Sequence, residues 1–107
     1  MNYTKDQVAE IIKEAQTAAY AAADKFFKEQ LGGRDRYACG FAWVEVYGVK
    51  GNTKLGRILK ELNFKHAMWN PAKYPVQNVD TLEAGARAAA EVLKGYGFTA
   101  YANSRLD

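Results

Sequence analysis

A chain of 107 residues, 49% hydrophobic and 25% charged, with a net charge of +3, has the make-up of one globular domain able to bury about 65% of its unfolded surface. Disorder is excluded by the apolar content, and no apolar run approaches the ~18 residues that span a bilayer, so no membrane partner is expected. One cysteine, Cys39, rules out an internal disulfide. Residues 1–20 lack the basic start, apolar centre and cleavage site of a secretory leader, so a reducing, cytoplasmic setting is expected.

The charge is unevenly spread. Residues 32–79 carry Arg34, Arg36, Lys50, Lys54, Arg57, Lys60, Lys65 and Lys73 against Asp35, Glu45 and Glu61, while both flanking segments are slightly acidic. An anionic partner would meet that middle third; the alternative is ordinary solvated charge.

Thr4-Lys5-Asp6-Gln7 fits a capping box, and Val8, Ile11, Ile12, Ala15, Ala18, Ala19, Ala22, Phe26 and Leu31 follow at helical spacing. Gly32-Gly33 supplies the left-handed stop. The alanines between Ala9 and Ala23 make this helix slim. Such a face admits another helix closely, which predicts either a spine for the domain or a homo-oligomer through the 4–31 helix. ACGFAWVEVY (Ala38–Tyr47) reads as a strand, and apolar residues on both faces predict an interior strand covered on each side.

Thr53 can cap a short helix over Lys54–Leu62, with Leu55, Ile58, Leu59 and Leu62 as its stripe and Asn63 as terminator. Phe64–Trp69 is a candidate short strand, and Asn70-Pro71 and Tyr74-Pro75 make 70–79 a loop. Asp80 with Glu83 predicts the next helix start, Leu82, Ala86, Ala89, Ala90 and Leu93 its stripe, and Gly95 its end. Phe98–Asn103 alternates as a half-buried strand. A strand, a crossover helix and a further strand can form a parallel unit. The expected fold is a single α+β (or α/β) domain over 1–107: an N-terminal helix within 1–33, then a core at 34–107 with three helices in all and two to four strands.

The catalytic inventory is thin: His66, Cys39 and Ser104 are the only residues of their types. That stock cannot supply a four-ligand structural zinc site, so no metal and no cofactor is expected. A Cys39/His66 dyad is the least unlikely enzymatic arrangement, yet a thiol opening a hydrophobic strand usually packs as a small apolar group. Ser104 with His66 and Asp107 has suitable residue types but no nucleophile-elbow sequence.

YGVKGNTKLGR, residues 47–57, is the richest local signal. Its glycine spacing and its Thr53-Lys54 order miss both the P-loop and the dinucleotide fingerprints. A helix starting near Thr53 still presents free N–H groups and the positive end of its dipole, with Lys50, Asn52, Lys54 and Arg57 around it. That arrangement can hold a phosphate or carboxylate. The competing reading is a plain strand-to-helix turn shaped by Gly48 and Gly51. Trp43 is expected in the core. Trp69, with Asn70 and Lys73 following in a loop, is a candidate wall for a planar group. KHAMWNPAKY is the nearest approach to a nucleic-acid stretch, and it is short.

The segments CGFAWVEVYGVKGNTKLGR, MWNP, PVQNVDTLEAGARAAAEVLK and YGFTAYANSRLD resemble a group of small, uncharacterised proteins of tailed bacteriophages, cyanophages included. The resemblance runs from about Tyr37 to Asp107. It implies an accessory protein of an infected bacterial cytoplasm; it brings no functional residues, because the group has no assigned activity. The functional expectation is a non-enzymatic binding module. Its pocket would combine Lys50, Asn52, Thr53, Lys54 and Arg57 with Trp69, Asn70 and Arg105, for a small anionic or nucleotide-like ligand. A nucleic-acid-binding protein and an assembly protein without small ligand are the alternatives.

Overall fold

A computed structural model describes residues 2–71 and 73–107; Met1, and Ala72 within the expected 70–79 loop, lie outside the described residues. The chain is mixed helix and strand, in the order α1 (Lys5–Gln30), β1 (Gly40–Tyr47), α2 (Lys54–Glu61), α3 (Val79–Gly95) and β2 (Thr99–Leu106). β1 and β2 form a two-stranded antiparallel sheet, Gly40 opposite Leu106 and Tyr47 opposite Thr99.

The layers follow from where small side chains fall. α3 contacts both strands and α1, whereas α1 touches neither strand. α3 therefore lies between α1 and the sheet. Gly85, Ala86, Ala89 and Ala90 are buried along it, as are Ala15, Ala19 and Ala23 along α1. Short side chains let two helix backbones approach closely. The alanine face that raised the prospect of a helix-mediated oligomer is thus filled by α3 of the same chain. Ala42, Val44 and Val46 of β1 and Ala100 of β2 cover the other side of α3.

Helix ends are set by side chains. Thr4 and Gln7 form the expected box: Gln7 N–H donates to Thr4 Oγ1 (3.2 Å) and Thr4 N–H to Gln7 Oε1 (2.8 Å). Gly32 and Gly33 take φ of 63° and 76° after α1, the left-handed region where glycine is unstrained. α1 and α3 run antiparallel, since Tyr3 ahead of α1 donates to the Tyr96 carbonyl (2.7 Å) and its ring lies over Phe98.

α3 starts earlier than its acidic residues suggest. Asn78, not Asp80, is the cap: its Oδ1 accepts from Thr81 N–H and from Thr81 Oγ1, both at 2.8 Å. Asn78 is fully buried, and its Nδ2 donates to the Arg36 carbonyl (2.8 Å). Asp35 accepts from the N–H groups of Gln77 (2.9 Å) and Asn78 (3.0 Å). Gly40 N–H then donates to Gln77 O, and Val79 N–H to Ala38 O, each at 3.0 Å. The start of α3 is thereby tied to the start of β1. α3 runs alongside β1, and the turn through Gly97 (φ 93°) sends β2 back. The pairing is antiparallel, and the parallel unit the element order allowed does not form.

Two further expectations are corrected. β1 is not covered on both faces: Gly40, Ala42, Val44 and Val46 are buried, while Phe41 and Tyr47 are exposed and Trp43 and Glu45 half-buried. Residues 64–69 form no strand; a lone bridge joins Val44 to Trp69, with N–H to O distances of 2.7 and 3.0 Å, and His66 O accepts from Val46 N–H. The segment borders β1 without extending the sheet.

The second half of α1 is held by the 73–77 loop. Tyr74 donates to Asp24 Oδ1 (2.6 Å), and its ring meets those of Tyr20 (5.0 Å) and Phe27 (5.7 Å). The Tyr74 hydrogen bond, then that of Lys28, holds the Asp24 carboxyl below its usual range. The same bond pushes the Tyr74 hydroxyl up to about 12.

Two measurements probe these ties. Asn78→Ala removes the cap and leaves the Arg36 carbonyl and the Thr81 groups short of a partner, so denaturant unfolding should show a loss of about 2–4 kcal/mol. For Tyr74 the neutral hydroxyl is favoured by the fold. Its stabilising contribution is complete below the ordinary tyrosine value of 10.0 and is lost as pH rises through about 12. Titration of phenolate absorbance should show a late tyrosine near that value, and Tyr74→Phe should remove it.

Candidate functional site

The 48–57 loop closes on itself. Gly48 takes a φ of 75° to leave β1. Lys50 O accepts from Thr53 N–H (3.0 Å) and from Thr53 Oγ1 (2.7 Å), and Thr53 Oγ1 in turn accepts from Gly56 N–H (3.0 Å). Arg57 Nη1 donates to the Asn52 carbonyl (3.0 Å), which lays this side chain back on its own loop. A Cβ on Gly56 would meet Lys50 O at 1.9 Å. The third glycine of the stretch therefore serves the packing of loop on helix.

The residues expected to share one pocket are dispersed. Lys54 and Arg57 border a concavity of about 570 Å³ with Lys60 and Glu61, whereas Lys50 borders another, of about 220 Å³, with Glu45 and His66. Trp69 is only 9% exposed, bridges to Val44 and packs on Phe64 with ring centres 4.8 Å apart. It is core, with an edge on a separate groove between α1 and the 62–73 segment that Asn70 and Lys73 also line. Arg105 stands opposite Phe41, at the far end of β1 from the 48–57 loop. The composite pocket of Lys50, Asn52, Thr53, Lys54 and Arg57 with Trp69, Asn70 and Arg105 is not assembled. The physical reason is Trp69's inward anchoring and the ~20 Å of strand separating Phe41 from Tyr47.

Cys39 and His66 are also apart. Cys39, exposed, precedes β1 and donates to Gln77 Oε1 (3.6 Å), while His66 sits beside Val46 near the strand's other end. Ser104 Oγ donates to Glu83, not to His66. Among the described residues, no group of three or more His, Cys, Asp or Glu side chains could hold a metal ion.

The feature that sequence reading missed is the open face of the sheet. Register puts Phe41 beside Arg105, Trp43 beside Asn103, Glu45 beside Tyr101 and Tyr47 beside Thr99, all turned away from α3. Phe41, Tyr47 and Tyr101 are each about half exposed. Glu45 lies in their midst and accepts from Trp43 Nε1 (3.2 Å), Asn103 Nδ2 (3.1 Å) and the Tyr47 hydroxyl. The hydrogen bonds from Tyr47 first and Trp43 second keep its carboxyl below the usual range and thus ionised near neutrality. They also fix two of the rings, because a rotated Trp43 or Tyr47 would forfeit a charge-assisted bond. Tyr47 and Tyr101 lie 5.7 Å apart, and Lys94 Nζ sits 5.4 Å from the Tyr101 ring centre. At the other end Arg36 lies over the Tyr37 ring at 4.9 Å, and Arg105 stands on the face itself. The alternation Phe41-Trp43-Tyr47 against Tyr101-Asn103 was the available signal; it needed the strand partner and a bare face to become readable.

No protein-family model, curated protein or solved structure matches the chain.

The loop's tight closure has a direct test. Gly56→Ala should cost about 1–3 kcal/mol of stability in denaturant unfolding, as overpacking does. Gly51→Ala, where an added methyl meets nothing within 4 Å, should cost much less.

Proposed function

We propose that the chain is a non-enzymatic binding module that takes up single-stranded nucleic acid on the outer face of its β1–β2 sheet. The carrying observation is the row of rings Phe41, Trp43, Tyr47 and Tyr101 on one open face, with Lys94 beside one end and Arg105 at the other. Base-on-ring stacking contributes ~1–3 kcal/mol per base and accepts any base, because every base has a π-face. Arg34, Arg36 and Lys50, in the loops entering and leaving β1, belong to the cationic middle third of the chain and can meet phosphates. Glu45, already held by three donors, is an acceptor at hand for a base N–H. An accessory role of this kind agrees with the resemblance to tailed-phage proteins in an infected bacterial cell.

The small-anion reading of the 48–57 loop has less support, since Arg57, Thr53 and the Lys50 carbonyl are engaged with one another. The two readings separate by mutation. In fluorescence-anisotropy titrations with labelled single-stranded DNA and RNA oligonucleotides, Phe41→Ala and Tyr101→Ala should each weaken binding by about 1–3 kcal/mol. Arg105→Ala should lower the salt slope by about one. Lys54→Ala with Arg57→Ala should change little. Absence of binding to either oligonucleotide at low salt would sink the proposal.

A further inference from the structure

β2 has two edges and one partner. The N–H of Asp107 points toward β1, donating to Cys39 O (3.0 Å). On β1, Val44 and Val46 direct their N–H groups the other way, to Trp69 and His66. Both facts set the same alternation along the antiparallel ladder, in which odd-numbered residues of β2 bond to β1. The N–H and C=O groups of Ala100, Ala102, Ser104 and Leu106 therefore point to the far edge, where they find no backbone partner among the described residues. Of the helices and strands, β2 touches only β1 and α3, and α3 lies against the inner face. Ala100 is fully buried, whereas Ala102 is partly exposed and Ser104 and Leu106 are exposed, so the edge is open from residue 102 onward.

It is also unguarded. Edge strands are commonly protected by Pro, Lys, an inward-pointing charge or a bulge. β2, TAYANSRL, has none of these, and its eight pairs with β1 run without a break. Ala100, Ala102 and Ser104 put no bulk on the inner side, and the one large side chain there, Leu106, stands exposed at the strand's end.

We propose that this edge pairs with the same edge of a second copy, antiparallel about a two-fold axis through Asn103. Residue 103 is the midpoint between Ala102 and Ser104, so that axis brings their outward-pointing groups into register. Ala102 falls opposite the partner's Ser104, and Ser104 opposite the partner's Ala102, each pair exchanging two main-chain hydrogen bonds. An unrelated extended peptide could satisfy the backbone, but this strand also complements itself through its side chains. On the outer face Tyr101 comes opposite the partner's Arg105, a cation beside a ring. Asn103, which gives one Nδ2 hydrogen to Glu45, keeps the other hydrogen and its Oδ1 for the partner's Asn103. On the inner face the small side chains of Ala102 and the partner's Ser104 meet. A two-stranded ribbon becomes a four-stranded sheet, which is a stabler unit, with both aromatic faces on one side. The pairing rests on the edge alone and holds whatever the face binds.

Analytical ultracentrifugation over a wide concentration range should show the full chain in monomer–dimer exchange. Opposed residues at the axis form a non-hydrogen-bonded pair with Cα atoms ~4.5 Å apart, within disulfide reach. Asn103→Cys in a Cys39→Ser background should therefore oxidise readily to a covalent dimer, while Thr17→Cys on exposed α1 in the same background should not. Ser104→Pro removes an outward N–H at an exposed edge position where proline is tolerated. It should yield a monomer with an unchanged circular-dichroism spectrum. A wild-type chain that stays monomeric throughout, or an Asn103→Cys chain that cross-links no faster than Thr17→Cys, overturns the proposal, including where Ser104→Pro fails to fold. Oligonucleotide binding is read in a separate titration, so either idea can fail without the other.

Discussion

The buried side chain of Asn78 is the constraint on which the rest of this structure depends. Its amide donates to Arg36 O and accepts twice from Thr81, while Asp35 holds its N–H. In the interior each of these groups would cost about 1–3 kcal/mol if left without a partner. The arrangement is therefore nearly all-or-none, and it joins three separate parts of the chain: the 34–39 loop, the first residues of β1 and the first turn of α3. Gly40 fits into the same junction, where an added Cβ would meet Arg105 O at 2.4 Å and Val79 at 2.9 Å. Direction follows from attachment. A helix pinned beside the beginning of β1 must run along it, and the strand that leaves the helix must return.

Much of this was legible locally. Capping patterns at Thr4 and Thr53, the glycine stop at Gly32-Gly33 and the apolar stripes of α2 and α3 need only neighbours a turn away, and each formed where the residues indicated. The alternation of Phe98 and Ala100 against Thr99 and Tyr101 also held. What could not be read depends on distant partners. Asn78 outcompeted Asp80 as a cap because Arg36 and Asp35, over forty positions away, complete its hydrogen bonds. The Asp24–Tyr74 bond spans fifty positions. Phe41, Trp43 and Tyr47 looked like a buried face because aromatic residues usually are buried, and one layer of helices on one side is not visible in composition.

The candidate site shows the same division. Glycines and cations in 47–57 resembled an anion cradle, yet the Thr53 hydroxyl takes up the Gly56 N–H at the helix start and itself donates to Lys50 O, against which Gly56 sits. Polar groups that can satisfy one another within a few residues do so first. The aromatic face arises differently. Its members come from strands that meet only through α3, and no short window of sequence contains them. Glu45 then turns a set of rings into a surface of fixed shape, since Trp43, Tyr47 and Asn103 all converge on one carboxylate. A ring held in place before contact loses less side-chain freedom upon contact.

The alanine seam between α1 and α3 has a bearing on how the chain can change over time. Within this seam Ala15, Ala19 and Ala23 of α1 face a helix that carries Ala86, Ala89 and Ala90, all of them buried. A seam of this kind has little left to remove, so truncation along it opens small voids at most. Every added carbon, by contrast, must push two backbones apart along several turns. Substitution is therefore lopsided: the seam can drift among glycine, alanine and serine, while one valine would be felt from α1 through α3 to the sheet. The slimness of the helices leaves sequence change to the outer faces, where the rings and the open strand edge lie.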